Sequence, residues 1–248
     1  MSSLVRAPPL LFPATARHTA TVIFIHGLGD TGHGWASAVE NWRRRQRLDE
    51  VKFILPHAPS IPITCNGGFR MPGWYDIHTI DGNAESLRKH EDEPGIRASQ
   101  AYFHDLIQKE MDAGIPADRI VIGGFSQGGA MSLFAGLTAK AKLAGIVALS
   151  SYLLLSLKFA DIVAEAGNVN KDTPIFMAHG DQDRVVHTEL GRKSHQLLKD
   201  LGYKAELKIY QGMQHSACLE ELDDIEAFLK ARLPPLGNNK DGDAKPEL

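Results

Sequence analysis

Ser126 is the residue whose setting most invites chemistry. It stands in Gly124-Phe125-Ser126-Gln127-Gly128, which fits the G-x-S-x-G spacing. Before it, Ile120-Val-Ile122 forms a β-branched run suited to a buried strand, and after it Ala130 to Leu137 favours helix. Strand, tight turn and helix in that order lift a serine hydroxyl clear of a sheet, a nucleophile elbow. A serine hydroxyl is a poor nucleophile at neutral pH, so it needs a base and an acid that orients the base. On such a scaffold both follow the serine, the acid first.

Four of the 11 histidines come after Ser126: His179, His187, His195 and His215. His195 lies inside the helical stretch 190–201, and His179 precedes a glycine at a strand end, where packing accounts for it. His215 lies in the loop 211–215, between an alternating strand pattern at 205–210 and amphipathic helical spacing at 219–233. That places it at the carboxyl end of a strand, and it is the candidate base. The acid falls after the apolar run 174–180, in Asp181-Gln182-Asp183. Either aspartate could orient a histidine, and the other then serves as a turn cap. Spacing does not separate them.

An oxyanion stabiliser is also present. The strand pattern 21–25 runs into His26-Gly27-Leu28-Gly29-Asp30-Thr31-Gly32, a loop able to aim the Leu28 N–H at the serine. The N–H of Gln127, next after the nucleophile, is the second candidate donor. His26 precedes the serine and reads as a residue that holds the loop. No GK[ST] ending occurs there, which argues against a phosphate cradle.

These residues need elements to position them. Strand patterns occupy 20–26, 51–56, 119–124, 144–149, 174–179 and 205–210; helical patterns occupy 35–47, 96–113, 128–140, 156–166, 189–201 and 219–232. Their alternation predicts an α/β fold, a mostly parallel central sheet with helices on both faces. Residues 60–94 read as an irregular binding loop, and 234–248 as a disordered tail with too little apolar content to fold.

At 248 residues and 43% hydrophobic, the chain can bury one large α/β core. A formal charge of −3 gives no field for nucleic acid or for a stable hold on anionic membrane. Arg43-Arg44-Arg45-Gln46-Arg47 reads as a solvated helix face, and Glu91-Asp92-Glu93 beside His90 as a solvated loop rather than a metal site. Cys65 and Cys218 are too few for a disulfide framework, and Pro8, Pro9 and Pro13 interrupt any signal-peptide core. No apolar run approaches a membrane span, and Ser2 and the C-terminus match no lipidation motif. The expected compartment is the cytosol, with the nucleus open to a chain this small, and no metal or organic cofactor is expected.

Several segments together resemble the acyl-protein thioesterase family, cytosolic serine hydrolases of the α/β-hydrolase fold related to lysophospholipases and carboxylesterases. The matching stretches are His26-Gly-Leu-Gly-Asp-Thr-Gly-His-Gly-Trp35, Pro56-His-Ala-Pro59, Met71-Pro-Gly-Trp-Tyr-Asp76, Gly123-Gly-Phe-Ser-Gln-Gly-Gly129, His179-Gly-Asp-Gln-Asp183 and Gly212-Met-Gln-His-Ser216. They imply a catalytic domain over residues 18–233, leaving 1–17 as an N-terminal extension and 234–248 as the tail. The resemblance selects Asp183 as the acid, beside Ser126 and His215, and puts Leu28 and Gln127 at the oxyanion hole. It implies hydrolysis of palmitoyl thioesters on protein cysteines, on partners such as small GTPases or G-protein α subunits, with lysophospholipids as further substrates. The chain departs from many relatives at Arg184 and His187, where prolines are common, and at Ser151-Tyr152-Leu153-Leu154, where Cys-Trp-Leu-Pro is common. Candidate walls for an acyl channel are Leu28, Trp74, Leu153 and Leu154, with ordinary core packing as the competing reading for the two leucines. The alternatives in function are a general carboxylesterase or lysophospholipase with the same triad, and a non-catalytic binding protein of the same fold.

Overall fold

The computed structural model describes residues 6–79 and 90–237. Nine strands occur among them: β1 (Leu10–Phe12), β2 (Ala20–Ile25), β3 (Val51–Leu55), β4 (Ser60–Ile63), β5 (Phe69–Pro72), β6 (Ile120–Phe125), β7 (Gly145–Leu149), β8 (Ile175–Gly180) and β9 (Ala205–Tyr210). Six α-helices accompany them: α1 (Ala36–Arg44), α2 (Glu93–Asp112), α3 (Gln127–Leu137), α4 (Phe159–Glu165), α5 (Thr188–Asp200) and α6 (Leu219–Arg232). Seven strands form one sheet in the order β1-β3-β2-β6-β7-β8-β9, parallel except for β1. The pair β4 and β5 makes a separate antiparallel hairpin.

The central strands are buried along their whole length, which explains why their patterns are continuous apolar runs rather than alternations. Successive side chains still point to opposite faces. Ile23, Ile25, Ile122 and Ile146 pack into one core with residues of α2, α3, α4 and α5. Val22, Phe24, Val121 and Val147 pack into the other with Trp42 of α1 and Ile225 of α6. Ligand sites of such folds lie beyond the carboxyl ends of the strands, and that rim carries the turn after β6 and the loops after β2, β8 and β9.

Three features depart from the sequence patterns. Leu10–Phe12 pairs antiparallel with β3, so part of the stretch read as an N-terminal extension is the sheet's edge strand. Three residues are too short for a periodicity to register. Within the stretch read as irregular, β4 and β5 form a hairpin whose turn places Gly67 at φ 65° and Gly68 at φ 79°, where a side chain would be strained. At the start of the tail, the N–H groups of Leu236 and Gly237 donate to the carboxylate of Glu50 at 3.0 and 2.9 Å, and the Pro234 carbonyl accepts from Arg119 at 2.7 Å. The tail's opening residues are therefore tied down, while 238–248 lie outside the described residues.

Candidate active site

Ser126 sits between β6 and α3 with φ 55° and ψ −121°, a conformation that costs a non-glycine residue energy. The turn closes only because its neighbours are small. A Cβ at Gly124 would lie 2.6 Å from the backbone of Gly128 and from the Ile25 carbonyl oxygen, and one at Gly128 would strike that same oxygen. The Ser126 N–H donates to the Leu149 carbonyl at 2.8 Å, tying the strained residue to β7.

His215, on the loop after β9, reaches Ser126 Oγ with Nε2 at 2.9 Å and Asp183 Oδ2 with Nδ1 at 2.7 Å. A carboxylate only accepts, so Nδ1 carries the proton and Nε2 is left to take one from the hydroxyl. Phe125 lies against the imidazole with ring centroids 4.7 Å apart. Asp183 follows β8 and is buried; its Oδ1 accepts from the N–H groups of Val185 and Val186, each at 2.9 Å. Burial works against its ionisation, but hydrogen bonds from His179, His215 and the Val185 backbone prevail, and its pKa lies well below the ordinary carboxylate range. The neighbouring Asp181 does not face His215. Its Oδ1 accepts from the Gly212 N–H at 2.7 Å, bracing the loop that carries His215.

The loop after β2 approaches Ser126 closely, since a Cβ on Gly27 would come within 3.3 Å of Ser126 Cβ. Leu28 follows it and borders the same cleft as Ser126, Gln127 and His215. His26 is fully buried, donates from Nδ1 to the Gly27 carbonyl at 2.7 Å and accepts at Nε2 from the Ala58 N–H at 3.1 Å. Burial lowers its pKa, favouring this neutral form. It therefore holds the loop and does not face the serine. The Gln127 side chain bridges to the segment after β5, accepting from the Trp74 N–H at 2.8 Å and donating to the Tyr75 carbonyl at 2.7 Å.

The cleft beside Ser126 encloses about 690 Å³ including its open mouth. Its apolar walls are Leu28, Ile77, Val185, Val186 and Leu190, with Tyr75 and Tyr152, whose hydroxyls lie 3.2 Å apart. Of the sequence-based wall candidates, Leu28 is present. Trp74, Leu153 and Leu154 are not, contrary to that expectation. Leu153 and Leu154 lie in the core between sheet and helices, where burial of two large apolar side chains outweighs exposure to a cleft. Trp74 is also core, its indole N–H donating to the His26 carbonyl at 2.8 Å. The true wall residues at 185, 186 and 190 carry no local signal, since a Val-Val pair in a loop reads as nothing in particular until α5 folds back beside Ser126. Among the described residues, no group of three or more His, Cys, Asp or Glu could hold a metal ion. None of the described helices is long and apolar enough to cross a membrane.

Over residues 10–233 the chain matches the phospholipase/carboxylesterase family. It belongs to that family. Among its relatives, acyl-protein thioesterase 1 of Neurospora crassa is 73% identical over 97% of this chain and 98% of its own length. Acyl-protein thioesterase 1 of Gibberella zeae is 63% identical over 93% of this chain and 97% of its own. The crystal structure of Zea mays acyl-protein thioesterase 2 superposes with a TM-score of 0.80 at 28% identity, covering 91% of this chain and 98% of that one. Within the phospholipase/carboxylesterase family, then, the chain is a serine hydrolase of the acyl-protein thioesterase group with the α/β-hydrolase fold.

Proposed function

We propose that this chain removes S-acyl groups from protein cysteines through an acyl-serine intermediate, with Ser126 as nucleophile, His215 as base and Asp183 as its orienting acid. The observation that carries the reading is the continuous series Asp183 Oδ2, His215 and Ser126 Oγ, linked at 2.7 and 2.9 Å and opening onto an apolar cleft. As Ser126 Oγ attacks the thioester carbonyl, its proton passes to His215 Nε2. The imidazolium so formed is stabilised by ionised Asp183. The carbonyl oxygen becomes an oxyanion received by the Leu28 and Gln127 N–H groups. The carbon–sulfur bond breaks, and the cysteine leaves as a thiol after taking the proton. A water deprotonated by His215 then attacks the acyl-serine, releasing the fatty acid and restoring Ser126.

A thiolate leaves readily, so the reaction depends less on acid catalysis than amide cleavage does. The cleft walls suit an alkyl chain, each buried methylene contributing about 0.8 kcal/mol. S-acylated proteins are the partner class. Small GTPases and G-protein α subunits are particular members to try, and the cytosol and nucleus are the compartments in which fractionation should find the chain. The test compares kcat/KM on a palmitoyl-cysteine peptide with that on lysophosphatidylcholine. Preference for the thioester supports the reading; preference for the lysolipid replaces it with a lysophospholipase using the same residues.

A further inference from the structure

We infer that His179, which the reaction above leaves unused, is a positioning residue that locks the acid and the cleft wall into one unit. The inference rests on the assignment of Ser126, His215 and Asp183 as the reacting set. His179 is the penultimate residue of β8 and is buried. Its Nε2 lies 2.7 Å from the Val186 carbonyl oxygen, and since a carbonyl only accepts, Nε2 carries the proton. That nitrogen is also 3.4 Å from Asp183 Oδ2, the oxygen that receives His215 Nδ1.

The acid thus faces a histidine on each side of Oδ2, while its Oδ1 takes the Val185 and Val186 N–H groups. Both peptide groups of Val186 are therefore committed. Its N–H holds the carboxylate and its carbonyl holds the His179 ring, which in turn borders the carboxylate. Val185 and Val186 are also walls of the cleft. A displacement of the His179 ring would turn Asp183 away from His215 and shift the surface on which the acyl chain rests. Room for the ring comes from α5: a Cβ on Gly191 would stand 2.5 Å from His179 Nδ1. The glycine sits within a helix, where its low propensity needs another reason, and the ring supplies it.

The test uses the full chain with His179→Leu and His179→Gln, assayed on acetyl and long-chain acyl esters, with rates expressed per serine titrated by a fluorophosphonate. A misplacement of the acid by about 1 Å predicts a ~10²-fold lower kcat for His179→Leu on every ester. KM should rise for the long-chain ester alone, because the Val186 wall shifts. The far-downfield proton resonance of His215 Nδ1–H should weaken or move. His179→Gln, whose amide can still donate to Val186, should recover most of the loss. A merely structural histidine would lower the yield of titratable serine and leave these readouts unchanged. Wild-type kcat per titrated serine in folded His179→Leu would overturn the inference. Should that variant not fold, Gly191→Ala pushes the ring from the other side while strengthening the helix. It should lower kcat in the same way, and unchanged kcat and resonance there would equally overturn it. Failure of the underlying assignment is distinguishable, since it would show as retained turnover in Ser126→Ala.

Discussion

At the amino ends of β2 and β3, the buried carboxylate of Glu110 accepts from Thr21 Oγ1 at 2.7 Å and pairs with Lys52 Nζ at 2.5 Å. At the carboxyl ends of the same sheet, the buried carboxylate of Asp183 accepts from His215 at 2.7 Å and from two backbone N–H groups. Both are anions taken out of water and both are fully hydrogen-bonded, as burial requires. They differ in where the network stops. At the amino end it stops at Lys52 and, through Thr21, at His18 Nε2 2.9 Å away, as the neighbouring network of Arg119, Thr19 and Glu50 stops at the backbone of Pro234, Leu236 and Gly237. At the carboxyl end it runs through an imidazole to a strained serine that faces a cleft. A buried charge network becomes chemistry when its last member is exposed to substrate and its middle member can move a proton. Glu221, near the start of α6, is a third case: a buried carboxyl with neither oxygen hydrogen-bonded among the described residues.

The largest effect should come from the exposed end of the carboxyl-side network. Ser126→Ala should lower kcat by ~10⁶ and abolish fluorophosphonate labelling with the thermal transition unchanged. Persistent labelling would remove Ser126 as the network's reactive terminus. Next, Asp183→Asn should cost ~10⁴ in kcat, while Asp181→Asn, which touches only the Gly212 N–H, should cost far less. Steady-state rates in the reverse order would exchange the two carboxylates.

The amino end should answer with stability alone. Glu110→Ala leaves Lys52 and Thr21 without their shared anion and should destabilise by ~3 kcal/mol in urea titration. Its kcat per titrated serine should stay at the wild-type value. A large fall in that rate would show that the two ends are coupled and the contrast false.

Glu221 tests what the absence of a partner does. Burial, followed by the charge of Asp224, pushes its carboxyl up to about 8 from an ordinary 4.5. The folded protein therefore keeps a proton that the unfolded chain releases, so stability is full below about pH 4.5 and falls as pH rises towards 8. Asp183 has the opposite sign, its stabilisation being lost only as pH falls through its depressed pKa. Glu221→Gln should thus gain on the wild type between pH 5 and pH 8, by ~5 °C in Tm. Melting curves that stay parallel across that range would show that Glu221 has found a partner. The smallest effect is expected at the cleft mouth, where Val185→Ser should lower the palmitoyl-to-acetyl ratio of kcat/KM by only ~5-fold, about 1 kcal/mol of lost apolar contact.

The order of strands and helices, the turn at Ser126 and the His215 loop were legible in the chain because each is a local matter. A buried parallel strand needs a β-branched run, and the elbow needs glycines at 124 and 128 whatever lies elsewhere. The choice between Asp181 and Asp183 was not local. Both follow the same strand, and only the approach of the β9 loop gives one of them a backbone N–H and the other an imidazole. The same holds for β1, whose three residues become a strand because β3 offers an open edge. It holds also for the cleft, where Leu153 and Leu154 turned out to be core and Val185, Val186 and Leu190 wall. Apolar side chains say that they will leave water, but not whether they will meet one another or a substrate. His179 shows the limit most plainly. By itself the sequence determined that a histidine would end β8 beside two aspartates, and packing against α5 decided which oxygen and which carbonyl it would meet. Residue type sets the bonds a group can make; the long-range fold brings only some of their partners within reach.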